Sequence, residues 1–274
     1  MSGLRQAAGS FRERLRERWP RLYLALRTLR YAGGEPLDPL SAAVLAGLSP
    51  GLSEDDGEPR VLAGPFQGMR LLRFASGSGL LPKVAGCYEM EIQPAVAASL
   101  RRGYRRVVNV GCGEGYYAVG YALALPQAVV HAFDLDILAR RRLRTLARRN
   151  GAAGRVRPAA LCMPEDLAAL AGEGSLVFCD CEGCEKELLD PVRVPALAGS
   201  DLLVELHDFL DPSISSTLEA RFRATHDIEI IPMQERDVST LPQLARLTPE
   251  QQQLAVWEGR PAGMQWAWMR SRAW

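Results

Sequence analysis

Three groups of residues have types and spacings that can do chemistry. The first is Gly111-Cys112-Gly113-Glu114-Gly115. Alternate glycines let the backbone adopt left-handed conformations and come close to a ligand. An acid, Asp134, follows about 20 residues on, where a carboxylate can accept hydrogen bonds from the two hydroxyls of a ribose. The second group is the run Cys179-Asp180-Cys181-Glu182-Gly183-Cys184-Glu185. Carboxylates at the start of a helix are favoured by its dipole, so Glu182 and Glu185 can be caps alone, with capping or surface pairing the plainer role for Glu185. Three cysteines at C-x-C-x-x-C invite zinc, but neither another CxxC nor an HxxxH supplies the partner pair that a structural site needs. The third group is His207-Asp208. Imidazole titrates near neutrality and can act as a general base, although a histidine at a strand end can equally be hydrogen-bonded structure. Asp180, His207 and Asp208 together also offer ligands for a Mg²⁺ ion that would lower the pKa of a bound hydroxyl.

Strand ends are what these groups share. Val107-Val108-Asn109-Val110 reads as a buried strand running into the glycine turn, and the stretch from Tyr116 to Leu125 as a helix stopped by Pro126. A second strand, Ala128 to Phe133, delivers Asp134. Strand, glycine turn, helix, strand and acid make a nucleoside-binding βαβ unit. Asp136 can cap a helix running to Asn150, with Ala139, Leu143, Leu146 and Ala147 on its buried face. Further strands are expected at 155–161, 175–180, 201–206 and 228–231, and a seventh where Met264, Trp266 and Trp268 alternate. Helices are expected near 40–48, 91–102 and 164–171, with another opening at Asp211-Pro212, and a hairpin is the reading for 61–74. The alternation implies a Rossmann-like, doubly wound α/β sheet of seven mostly parallel strands with an antiparallel edge strand. Ligands of such a sheet lie beyond the carboxyl ends of its strands, which brings the three groups together.

The chain has 274 residues and a net charge of +1, enough for one large domain with an extension and no global case for nucleic acid. Residues 1–60 read as an N-terminal basic helical extension and linker. Residues 61–274 read as the main domain, with an insertion at about 232–263 that is a candidate lid. In the extension, Phe11, Leu15, Trp19, Leu22, Leu26 and Leu29 form an apolar stripe among arginines. Such a helix can meet an acidic partner or an anionic membrane surface, or pack on its own domain with its arginines solvated. No apolar run reaches the length of a membrane span and the first residues lack a signal peptide's apolar centre, so a cytoplasmic protein with reduced cysteines is expected. Oligomeric state is open.

Glycine spacing separates two ligand classes. A dinucleotide turn wants Gly-x-Gly-x-x-Gly, and Tyr116 stands where its third glycine would be. Gly-x-Gly-x-Gly instead resembles motif I of class I S-adenosylmethionine (SAM) methyltransferases. With Tyr88-Glu89-Met90-Glu91, GCGEGYY, CDCEGCEKELL and LLVELHDF, residues 61 to 231 resemble the FkbM-type methyltransferases. Asn109 stands where that family commonly has Asp, and the cysteines of CDCEGC stand where it has small apolar residues. The resemblance implies SAM contact at Tyr88, Glu89, Asn109, Gly111, Cys112, Gly113, Gly115, Asp134, Leu135 and Asp180, with a hydroxyl of a small molecule or glycoside as acceptor. His207 and Asp180 are then the catalytic candidates, and Glu258 with Arg260 either close over the acceptor or form an exposed loop pair. A protein or peptide side chain as acceptor, and a SAM-binding scaffold without turnover, are the other readings.

Overall fold

A computed structural model describes residues 37–49, 58–73, 75, 78–261 and 263–274. The amphipathic arginine-rich stretch expected at residues 5–31 lies outside them, as does most of the expected linker. Seven strands form one sheet: β1 Arg106–Val110, β2 Val129–Phe133, β3 Val156–Ala159, β4 Ser175–Cys179, β5 Asp201–Leu206, β6 His226–Pro232 and β7 Gln265–Ser271. Their spatial order is β3-β2-β1-β4-β5-β7-β6. Every pairing from β3 to β5 is parallel, while β7 runs antiparallel to both β5 and β6. The antiparallel strand thus enters at one margin of the sheet, between β5 and the edge strand β6.

Helices cover both faces, as the near-continuous apolar character of β1, β4 and β5 requires. The helices are α1 Pro39–Leu48, α2 Leu80–Ala85, α3 Gln93–Arg101, α4 Tyr116–Ala124, α5 Ile137–Arg149, α6 Pro164–Leu170, α7 Glu185–Leu188, α8 Ile214–Phe222 and α9 Pro249–Val256. Alternation along each strand sorts the core into two layers. Val107, Leu176, Phe178 and Leu203 face Leu45, Val84, Val96, Tyr121 and Leu143 of α1 to α5. Val108, Val177, Cys179, Val204 and Leu206 face Leu167, Leu188 and Leu218 of α6 to α8. Each buried leucine or valine stabilises the fold by about 1.5–3 kcal/mol.

Three segments differ from expectation, one of them the helix α2, which stands where no helix was expected. In place of a hairpin at 61–74, a single antiparallel bridge joins Arg60 to Arg70 around a turn. The expected insertion is a structured flap: short 3-10 turns at Val238–Thr240 and Pro242–Leu244 lead into α9, and Leu244 and Leu247 join the first core layer with α1 and α2. Thr248 caps α9 in a reciprocal box with Gln251.

Candidate active site

The glycine turn leaves β1 with three left-handed residues, Gly111 at φ 73°, Gly113 at 52° and Gly115 at 100°. Gly111 is held there by proximity as well as by conformation. A Cβ on it would lie 1.6 Å from the Asp180 carbonyl oxygen of the neighbouring strand end. At Gly115 a Cβ would meet Leu143 Cδ1 at 2.3 Å, so this glycine lets α5 pack on the start of α4. Asp134 ties turn and strand together: its Oδ2 accepts from Gly113 N at 2.8 Å and its Oδ1 from Asp136 N at 2.8 Å. Burial raises its carboxyl above the usual range, while the two backbone N–H groups oppose that rise. The carboxylate stays partly open to solvent. Leu135 beside it is 66 % exposed, and Leu161 and Met163, just past β3, are also exposed. An acid with spare lone pairs thus stands beside unpartnered apolar side chains at the carboxyl ends of β2 and β3.

Lys83 from α2 reaches the turn from outside, pairing with Glu114 and donating to Ser78 Oγ at 2.6 Å. Its ammonium lies 4.7 Å from the centre of the Tyr88 ring. Tyr88 packs edge-on against Tyr116, and Tyr117 donates to the buried carboxylate of Glu89. Glu89 itself is left-handed, φ 45°. Burial first, and the nearby Glu205 carboxylate second, push its carboxyl up to about 8.

Beyond β4 and β5 lies a dense ionic cluster. His207 is 1 % exposed, and its Nδ1 lies 2.5 Å from Oε1 of the fully buried Glu185. Its Nε2 faces Glu205 Oε2 at 3.5 Å and Asp180 Oδ1 at 3.6 Å. Burial pulls the imidazole down, but Glu185 and Glu205 outweigh it and the net shift is upward. Asp180 is held well above the usual carboxylate range, by burial and then by Glu205. The flap closes this cluster from the first core layer. Arg260 binds Glu205 and, at 2.5 Å, Glu91. Arg236 binds Glu91 at 2.6 Å and Glu258 at 2.7 Å, and Glu258 accepts from Glu89 N at 3.1 Å.

Several sequence expectations meet corrections here. Asp208, offered as a metal ligand beside Asp180 and His207, has its carboxylate taken by Ser215 N at 3.0 Å, the Ser215 hydroxyl and Gln265 Nε2 at 3.0 Å. The strand period explains it: Glu205 and His207 share one face of β5, whereas Asp208 falls on the α8 side. Glu185 is a buried partner of His207, not a surface pair. Glu258 and Arg260 are buried members of the cluster, not an exposed loop pair. Asn109 is buried within β1, its Nδ2 3.5 Å from the Phe178 carbonyl and its Oδ1 without a partner. Cys112 is buried in the turn, its N bonded to Phe133 O at 3.0 Å, and burial raises its thiol. Cys179, Cys181 and Cys184 are free thiols, and among the described residues the only trio of metal-type donors within 4.8 Å is Asp180, Glu205 and His207. Arg236 carried no signal in the reading by motif, and Glu205 stood within LLVELHDF without a role of its own. For Glu205, its two-residue spacing from His207 is the signal that could have found it.

No family model matches the chain, and no curated protein matches it. Among solved structures it is similar to a precorrin-6y C5,15-methyltransferase from Geobacter metallireducens GS-15, with 15 % identity over 65 % of this chain and 89 % of that one, TM-score 0.44. The C-terminal domain of the Rhodobacter capsulatus precorrin-6Y enzyme is 18 % identical over 66 % of this chain and 89 % of that one, TM-score 0.45. A putative O-methyltransferase from Klebsiella pneumoniae is 13 % identical over 90 % of this chain and 97 % of that one, TM-score 0.43. At TM-scores below 0.5 these likenesses say nothing of what this chain binds, and its own residues must carry the reading. No helix among the described residues is long and apolar enough to cross a membrane.

Proposed function

We propose that the chain is a SAM-dependent methyltransferase acting on a hydroxyl of a small molecule or glycoside. The observation that carries the reading is the glycine turn bonded to Asp134: Gly111, Gly113 and Gly115 open the backbone, and the carboxylate that holds Gly113 N keeps lone pairs for two vicinal hydroxyls. This cradle fits SAM: Asp134 keeps an accepting oxygen beside the turn, and Leu135, Leu161 and Met163 offer exposed apolar surface for an adenine beside that acid. When bound, SAM supplies a methyl group on a sulfonium, an electrophile that needs no further activation. Glu89 and Asp180 have their carboxyl groups raised by burial and by the neighbouring Glu205, and a cationic ligand past the turn would relieve that crowding.

The chain's remaining work is to place an acceptor oxygen and strip its proton, for which positioning and a proton acceptor supply most of the effect. His207 is the candidate base. Its Nδ1 faces Glu185, and with the Nδ1 proton turned to that side chain Nε2 would have its lone pair toward Asp180 and Glu205. Asp180 is the more exposed member of the pair. The acceptor's identity is open between a metabolite and a protein side chain. Incubating the purified chain with methyl-labelled SAM and fractionated lysate tests the reading. Label in small metabolites supports it and label in protein selects the peptide acceptor. Bound SAM with no transfer to any fraction leaves a scaffold.

A further inference from the structure

We infer that Asp180, Glu205 and His207 form a site for a divalent first-row metal ion, with Glu185 orienting the imidazole from outside and the acceptor hydroxyl as incoming ligand. Three ligand-type atoms converge there within 4.8 Å of one another. His207 Nε2 lies 3.5 Å from Glu205 Oε2 and 3.6 Å from Asp180 Oδ1, both too long for good hydrogen bonds. With Nδ1 turned to Glu185, Nε2 is the ring nitrogen that faces the carboxyl oxygens of Glu205 and Asp180. The His207 side chain is only 2 % exposed, and Asp180 Oδ1 is buried with no hydrogen-bond partner. Arg260 occupies the other oxygen of Glu205, and the oxygens facing Nε2 leave room for a further positive centre between them.

The spacing indicates what kind of centre. Ligand atoms about 2.1 Å from one ion stand about 3.4 Å apart at a tetrahedral angle. At the octahedral angle that Mg²⁺ demands they stand about 3.0 Å apart. The observed 3.5 and 3.6 Å fit the former. One imidazole with two carboxylates also suits Mn²⁺, Fe²⁺ or Zn²⁺ better than Mg²⁺. A buried carboxylate on the far nitrogen of a ligating histidine is the usual outer support of such a site, and Glu185 stands there. Asp180, with 28 % of its side chain exposed, marks the open side.

The role of the ion, though not its binding, rests on the methyl-transfer reading. An acceptor hydroxyl bound at the open position loses its proton to solvent more readily. The oxygen lone pair then forms the C–O bond as the methyl–sulfur bond breaks, its electron pair returning to sulfur. His207 is in that case a ligand and not the base.

The test is titration of the EDTA-stripped full chain with Mn²⁺, following loss of the free-ion electron paramagnetic resonance signal. Mn²⁺ is the probe because the nearby Cys181 and Cys184 thiols would compete for Zn²⁺. Binding of one ion per chain is expected. Glu185→Gln should weaken it by roughly 10- to 100-fold, and Asp180→Asn and Glu205→Gln by at least as much. Asp208→Asn, whose carboxylate serves Ser215 and Gln265, should bind as the wild type does. No binding at millimolar Mn²⁺ overturns the site, and a proton shared by Asp180 and Glu205 then fills its place. Unaltered binding by both Asp180→Asn and Glu205→Gln overturns it too, since the ion is elsewhere. Calorimetry with S-adenosylhomocysteine on the same samples reports folding and the cofactor cradle separately. Normal cofactor binding without Mn²⁺ removes the metal alone.

Discussion

Glu89 offers a test of the buried charge that surrounds the site. It is 2 % exposed, it accepts from the Tyr117 hydroxyl, and its nearest charges are Glu205, Arg260 and Glu258. Burial and Glu205 push its carboxyl from 4.5 up to about 8. A carboxyl raised in the folded state holds a proton that the unfolded chain has already lost. Its contribution is therefore most favourable below about pH 4.5 and declines as pH rises toward about 8. One extra bound proton corresponds to a slope of up to about 1.4 kcal/mol per pH unit. Glu89→Gln keeps the shape, the left-handed backbone and an oxygen for Tyr117, yet cannot ionise. Urea unfolding at several pH values between 5.5 and 8, in EDTA, measures the difference. Asp180 is also held well above the usual range, so the wild type should lose stability with rising pH for more than one reason. Glu89→Gln should lose it less steeply, by up to that one-proton slope, and should become the more stable chain at the alkaline end. Parallel curves for the two proteins would refute the reasoning.

Three further outcomes follow from contacts. Gly111→Ala should cost more than about 3 kcal/mol in urea unfolding. It forces a Cβ to 1.6 Å from the Asp180 carbonyl, whereas Gly103→Ala, at a similar φ but in open space, should cost about 1 kcal/mol. Arg260→Met strips a buried partner from Glu91 and Glu205 and should cost about 3–5 kcal/mol; Arg272→Met, breaking the exposed pair with Asp227, should stay within about 1 kcal/mol. Leu135→Ser should leave the unfolding midpoint unchanged and weaken S-adenosylhomocysteine binding by about 1 kcal/mol, since Leu135 is exposed in the free chain.

What could be read from sequence was local. The βαβ unit announced itself because Val107 to Val110, the glycines and Asp134 lie within one short stretch, and period-2 and period-3.6 patterns report burial directly. The ends of β5 and of α4 and α5 fell within a residue or two of expectation for the same reason. The ionic cluster was hidden because its partners are remote: Glu91 and Arg260 stand 169 positions apart. A charged residue in one sequence reads as solvated until its partner is brought to it, so Arg236 and the buried state of Glu185 had no local signature. Helix α2 was missed because Gly79, Pro82 and Gly86 look like loop punctuation. Pro82 is accommodated near the start of the helix and Gly86 ends it in a left-handed turn.

The most direct measurement is calorimetric titration of the chain and of Asp134→Ala with SAM, S-adenosylhomocysteine and NAD. Asp134 holds the turn through Gly113 N and, on this account, also receives the ribose hydroxyls. The wild type should bind SAM and its product and not NAD. Loss of the charge-assisted bonds should weaken both by about 1.5–3 kcal/mol, or roughly 10- to 150-fold. Binding of NAD in their place, or equal affinity of the two proteins for S-adenosylhomocysteine, would contradict it.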